Sequence, residues 1–200
     1  MKRSDVNGTE CGESVSYGGM EFCVLGLLMI RDMTIYEIHQ AFRKTLSLFY
    51  SGSMGSIQFA LRKLLARGLV ARTEETVGKR TRKVYTVLAP GRAAFAAEML
   101  AEIPPAKLET TALARMSFLG HLESHRQRAA VLQSIVRSIT AALASLEALR
   151  AEVAQIDPAP ETRDVFQYQV HTLDYGIMAH NAGLAWFRDR LREAEQAAEG

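Results

Sequence analysis

The chain has few of the features that define many protein classes. In 200 residues there are two cysteines, Cys11 and Cys23, five prolines and one tryptophan. Two isolated cysteines make neither a disulfide framework nor a CxxC metal pair. Nowhere do roughly 18 apolar residues follow one another as a membrane span requires. The opening stretch lacks the apolar core of a secretory signal. The expected home is therefore cytoplasmic, with no membrane partner. Catalytic signatures are missing too: there is no GxSxG, GxGxxG or P-loop, and no histidine lies near either cysteine. Of five histidines, His121 and His125 form the one HxxxH spacing, without a third ligand or the glutamate of HExxH. No enzyme, metal or cofactor is expected.

What the chain does have is charge in one place. Residues 22–92 carry twelve Lys/Arg against four Asp/Glu, a net of +8, whereas 104–200 carry ten against twelve. A basic half joined to a nearly neutral one calls for an anionic partner on the first half only, and double-stranded DNA is the commonest such partner.

Three segments follow from patterning. Residues 1–19 are polar, Gly/Ser-rich and aperiodic, and read as a disordered leader. Residues 20–103 read as a small mixed unit. An apolar run from Met20 to Ile30 predicts a first helix. Thr34 and Glu37 have the spacing of a capping box, followed by Ile35, Ile38, Ala41, Phe42 and Leu46 on one helical face. Ser53 can cap a third helix that buries Ile57, Ala60, Leu61, Leu64 and Leu65, with Gly68 at its left-handed C-terminal position. Residues 69–73 and 82–87 read as short strands joined by a polar loop, 74–81, with Gly78 at its tip. Pro90 suits the first turn of a fourth helix, which runs to about Glu102 before Pro104 and Pro105 end it.

Residues 104–200 read as a helical unit: a short helix over 107–119, then two long ones. Leu132, Ile135, Ile139, Ala142, Leu146, Leu149, Val153 and Ile156 alternate steps of three and four. So do Phe166, Val170, Leu173, Ile177, His180, Leu184, Phe187, Leu191 and Ala194. These are a/d seams of helices that wrap around one another, either within one chain as an antiparallel hairpin or between copies. A second apolar edge on the last helix (Val165, Met178, Ala182, Ala185, Trp186) needs a partner of its own. A homodimer joined through this coiled-coil-like region is expected. Tyr168, Tyr175, Met178 and Trp186 are candidate linings of a pocket for a small aromatic effector.

Helix, turn, helix and basic ribbon, in that order, describe a winged helix-turn-helix, so the fold class is mainly α with a small β-hairpin. The second helix of such a pair enters the major groove by its N-terminal residues. Ser53, Gly55, Ser56, Gln58 and Phe59 occupy those positions here, with Arg62 and Lys63 a turn further on. Ser56 and Gln58 can hydrogen-bond base edges, and Gln suits adenine. Lys79, Arg80, Arg82 and Lys83 put four cations within five residues on the ribbon, where they suit a phosphate backbone. A winged domain that had turned to binding protein would be the rival reading, but such a domain has no need of this cationic ribbon.

Residues 22–95 resemble the PadR-type transcriptional regulators. The resemblance is carried by Leu25-Gly-Leu-Leu28, Met33-Thr-Ile-Tyr-Glu-Ile38, Ser53-Met-Gly-Ser-Ile57, Ala60-Leu61 with Leu64, Arg67-Gly-Leu69, Arg80-Thr-Arg-Lys-Val-Tyr85 and Pro90-Gly-Arg92. It implies a DNA-binding regulator, more often a repressor, with Tyr36 at the position of a tyrosine in the second helix that can touch the DNA backbone. The chain departs from the family at Ile35 (usually Gly), Gln58 (usually a phosphate-contacting Tyr) and Thr81 (usually Pro). The second half is similar in architecture to the long-tailed, virulence-activator-like branch, which carries a helical dimerisation domain. Together these expectations describe a homodimer that presents two winged units to an inverted-repeat operator.

Overall fold

A computed structural model describes residues 18–77 and 80–199. Most of the leader, with Cys11, lies outside the described residues, as do Gly78 and Lys79. Helix α1 spans Gly19–Leu28, strand β1 Met33–Thr34, α2 Ile35–Thr45 and α3 Met54–Ala66. Strands β2 (Val70–Val77) and β3 (Arg80–Val87) follow, then α4 (Ala89–Leu100), α5 (Leu108–Phe118), α6 (His125–Val153) and α7 (Arg163–Glu199). The sheet is antiparallel in the order β1-β3-β2.

The expected local signals act where they were placed. Thr34 accepts from the Glu37 amide at 3.3 Å while the Glu37 carboxylate accepts from the Thr34 amide at 2.8 Å, which closes the capping box of α2. Gly68 is left-handed at φ 65°. Its amide donates to the Leu65 carbonyl and the Leu69 amide to Leu64, so α3 ends in a Schellman turn that feeds β2 directly.

Two expectations about strands need correction. The polar loop expected over 74–81 is mostly ladder: Glu74 pairs with Lys83, Glu75 with Arg82 and Thr76 with Thr81. From Lys83 toward the tip the described part of the ribbon is exposed, so no apolar alternation marks it as strand, and backbone pairing continues it with the Arg82–Glu75 ion pair across it. Met33 and Thr34 also pair with Tyr85 and Val84 to make β1, too short to leave a period in the sequence.

The core gathers where α1, α4 and α5 meet. Phe22 stacks on Phe95 at 5.1 Å, and Phe118 meets both rings edge-on at 5.7 and 6.0 Å. Gly26 admits the Phe118 ring, since a Cβ there would lie 2.7 Å from it. Gly91 brings α4 onto the start of β2, where a Cβ would come within 2.2 Å of the Leu69 carbonyl oxygen. Cys23 is buried beside this cluster and its thiol is pushed up to about 12 by desolvation, so it is chemically quiet. Leu108, Ala112, Ala114 and Phe118 of α5 belong to the same cluster as Phe22 and Phe95.

The seams of α6 and α7 close on each other within the chain as an antiparallel hairpin. Arg150 pairs with Asp174 at 2.7 Å, and Leu146 lies 3.9 Å from the Cβ position of Gly176. Leu132, Ile135, Ile139, Leu184 and Phe187 are buried there; Phe166, Val170, Leu173, Ile177, Leu146, Val153 and Leu191 are half-buried, and Leu149 is exposed. Of the two readings left open, the intramolecular hairpin accounts for these residues. By length and hydropathy α6 is a helix that could cross a membrane, yet its apolar stripe faces α7 and the core, and Arg137 lies on its exposed side.

Gly91→Ala should destabilise the fold by about 2 kcal/mol or more, because the contact is with backbone and cannot relax by a rotamer change; a thermal melt reads this. Capping hydrogen bonds, first the backbone one at Thr34, hold the Glu37 carboxyl down at about 2 against an ordinary 4.5. A depressed carboxyl contributes stability that is complete above its unfolded value and vanishes as pH falls through the folded one. The stability gap between wild type and Glu37→Ala should thus be widest above pH 4.5 and close toward pH 2 in melts across that window.

Candidate nucleic-acid interface

The outward face of α3 is defined by what its inner face buries. Ile57, Ala60, Leu61 and Leu64 point into the core, which leaves Gly55, Gln58, Phe59 and Arg62, one helical stripe, in solvent. Gln58 is exposed and can offer both amide groups. Gly55 meets nothing but Ser53 Oγ at 3.8 Å from its Cβ position, so the stripe begins with open backbone. Phe59 is 53% exposed, and the Arg62 and Lys63 cations lie over its ring at 5.7 and 4.8 Å. An exposed aromatic flanked by two cations is the feature of this surface that sequence reasoning underweighted. Its signal was present in the i, i+3, i+4 spacing of Phe59, Arg62 and Lys63.

Several expected contact residues have duties inside the chain. Ser53 Oγ accepts from the Ser56 amide at 3.1 Å, while Ser56 Oγ accepts from the Ser53 amide at 2.9 Å and donates to the Ser53 carbonyl at 2.8 Å. The two serines first of all cap α3, and their capacity to read bases is what that cap leaves over. Lys63 pairs with Glu21 at 3.1 Å, and Arg67 reaches the other Glu21 oxygen at 3.4 Å. Because Glu21 is buried in the first turn of α1, this triad binds α3 to α1 and holds the Lys63 ammonium between Glu21 and the Phe59 ring.

On the ribbon, Arg82 makes two hydrogen bonds to Glu75 Oε2, at 2.8 and 3.1 Å, across the strand pair. Lys83 sits opposite Glu74. Neighbours in a strand face opposite ways, so Arg82 and Lys83 lie on different faces of the ribbon and cannot act as one cationic tip. The placement of Lys79 lies outside the described residues, and Arg80 is described through its backbone alone, opposite Val77. Tyr36, 62% exposed in the first turn of α2, accepts a hydrogen bond from Gln40 at 2.9 Å and leaves its hydroxyl proton available to solvent.

The expected aromatic pocket does not assemble. Tyr168, Tyr175 and Met178 are 60–70% exposed on the outer side of α7. Trp186 alone lines a cavity, of about 240 Å³, between α5, α6 and α7, together with Phe187, His180 and Ile139. The His180 ring shares a 2.7 Å hydrogen bond with the Gly176 carbonyl, a donation from Nδ1. The seam periodicity could not show which side of α7 its own chain would cover. The HxxxH pair fails likewise: His121 lies in a 3-10 turn stacked on Phe118 at 5.9 Å, while His125 opens α6. Among the described residues no group of three or more His, Cys, Asp or Glu is placed to hold a metal.

Residues 24–97, from α1 through most of α4, match the Transcriptional regulator PadR-like family. Similar solved structures include Bacillus subtilis PadR in complex with operator DNA, 19% identical, covering 88% of this chain and 98% of that one at a TM-score of 0.41. The PadR-like transcriptional regulator BC1756 from Bacillus cereus is 24% identical over 92% and 99% of the two chains, TM-score 0.40. Bacillus subtilis PadR in complex with p-coumaric acid is 19% identical over 90% and 98%, TM-score 0.38. No curated protein matches the chain in sequence.

Proposed function

We propose that the protein is a cytoplasmic, sequence-specific DNA-binding transcriptional regulator, not an enzyme, that acts as a homodimer on an inverted-repeat operator, as a repressor. The observation that carries this reading is the solvent-facing stripe Gly55, Gln58, Phe59 and Arg62 on the second helix of a PadR-like winged domain. Gln58 reads a base edge and Phe59 offers an apolar face to a thymine methyl. Tyr36, Arg62, Lys79, Arg80, Arg82 and Lys83 contact phosphates, with Lys63 held in reserve by Glu21.

The second half supplies the two-fold, in the manner of the long-tailed, virulence-activator-like branch. Along α7, Val165, Tyr168, Thr172, Tyr175 and Ala182 are exposed away from the intramolecular seam, and Ala179 and Trp186 continue their alternating steps of three and four at the rim of the cavity against α5 and α6. Exposed aromatics at heptad spacing call for a second helix. This edge, and not the seam, is the surface on which a second copy docks. A small aromatic effector that releases DNA belongs to the same reading, with its site moved to the Trp186 cavity.

Gel shifts over a range of salt test the division of labour. Gln58→Ala should relax preference at particular base pairs, by about 1–3 kcal/mol each. Arg62→Ala should weaken all duplexes alike and lower the salt slope by about one. Glu75→Gln frees Arg82 and should tighten binding to every duplex. A chain indifferent to genomic fragments at low salt is instead a protein-binding adaptor. For the assembly, Tyr175→Glu should shift sedimentation from dimer to monomer while leaving the melt of the hairpin unchanged, since Tyr175 is 66% exposed. A dimer that survives that change has its interface elsewhere.

A further inference from the structure

Phe59 does nothing for the core of its own domain. It stands 53% exposed on α3, outside the cluster that takes Ile57, Ala60, Leu61 and Leu64 of the same helix. Single exposed apolar residues are common on protein surfaces, but this one is held in place. The Lys63 ammonium lies 4.8 Å and the Arg62 guanidinium 5.7 Å from its ring centroid, both within reach of a cation–π attraction. Lys63 is in turn tied to Glu21 Oε1 at 3.1 Å. Glu21 is 5% exposed in the first turn of α1, so the far end of this relay is anchored in the core. The Arg67 guanidinium reaches the second Glu21 oxygen at 3.4 Å and keeps that carboxylate from turning away. The order Glu21, Lys63, Phe59 thus runs from a buried anion to an exposed ring and restricts where that ring can stand.

What a restrained ring on this face can recognise follows from the chemistry of the major groove. Base edges there are donors and acceptors, with one apolar exception, the C5-methyl group of a pyrimidine. Thymine carries it, cytosine does not, and 5-methylcytosine carries it at the same ring position. A phenyl ring has no hydrogen bond to offer the other groups, so its contact discriminates by the methyl alone. Restraint strengthens that contact, because a ring already ordered loses less side-chain entropy on binding. Insertion between bases, the other use of an apolar side chain on DNA, would pull the ring off both cations.

We propose that Phe59 makes α3 a reader of the pyrimidine C5-methyl group, on 5-methylcytosine as well as on thymine. A half-site with cytosine in place of that thymine is weak until the cytosine is methylated. Glu21, acting through Lys63, is the positioning residue that holds the ring for this contact. The inference rests on the DNA-binding reading above and goes beyond it: the modification of the duplex, and not its sequence alone, sets affinity. A methyl group leaves the charge of the duplex unchanged, so its effect persists across salt concentrations and separates from that of phosphate contacts.

Gel shifts of the full chain on a duplex selected from random sequence test this. Each thymine is replaced in turn by deoxyuridine, which removes only the methyl, and then by cytosine or 5-methylcytosine paired with guanine. At one position or more in each half-site, deoxyuridine should bind about fourfold more weakly than thymine, as one lost methyl contact dictates. Cytosine there should bind about fourfold more weakly than 5-methylcytosine. Phe59→Ala should make the members of each pair equal. Glu21→Gln should lower both ratios and, by releasing Lys63 to the phosphates, raise the salt slope by about one. A carboxylate with a merely structural role would weaken every duplex and leave the ratios as they were. If Glu21→Gln does not fold, Lys63→Met, which leaves Glu21 with Arg67, decides the positioning step by the same loss of ratio. Equal binding within either pair at every position, or ratios that persist in Phe59→Ala, overturn the reader. Ratios unchanged in Glu21→Gln and Lys63→Met overturn the positioning step. Sequence-selective binding without methyl dependence refutes this inference alone, whereas a chain that binds no duplex refutes the DNA-binding reading and this inference with it.

Discussion

Three phenylalanine rings hold the molecule together at one point. Phe22, Phe95 and Phe118 come from α1, α4 and α5, and they pack only because Gly26 leaves α1 bare where Phe118 lies across it. The winged unit and the helical half are thereby parts of one core, not beads on a linker. The same junction buries Arg115 completely. Aromatic packing of this kind is intolerant of volume changes.

Charge on this surface is managed as closely as packing. The basic half carries more cations than it presents. Glu21 holds Lys63 and Arg67, Glu75 holds Arg82, and Glu37 holds Arg31 at 3.1 Å. The two exposed pairs, Arg82–Glu75 and Arg31–Glu37, contribute little stability. Their effect is on position: each fixes where a long flexible cation points and reduces the field that would otherwise attract any polyanion. Under the proposed function such restraint favours base readout, because unspecific phosphate attraction is its competitor.

The residues whose roles were legible in the chain are those whose function is local. Thr34 with Glu37, Ser53 before α3, Gly68 after it and Pro90 at the head of α4 each act within a few residues of themselves, and the structure bears out each one. The seams of α6 and α7 were legible for the same reason, since periodicity is a property of a single helix. Their use was not. An a/d seam states that a partner exists, and the partner turned out to be the neighbouring helix of the same chain.

Everything that depended on distance in space was decided by tertiary structure. Nothing in the string links Glu21 to Lys63 or Phe118 to Gly26. The exposed ribbon ran on past its apolar residues because a backbone ladder needs no side-chain pattern once it leaves the core. The sequence by itself determined the order of helices and strands, their caps and the concentration of positive charge, because these follow from propensity, period and composition. Which faces meet and which cations remain available were settled only when the helices crossed, since burial is a property of the assembled surfaces and not of any segment alone.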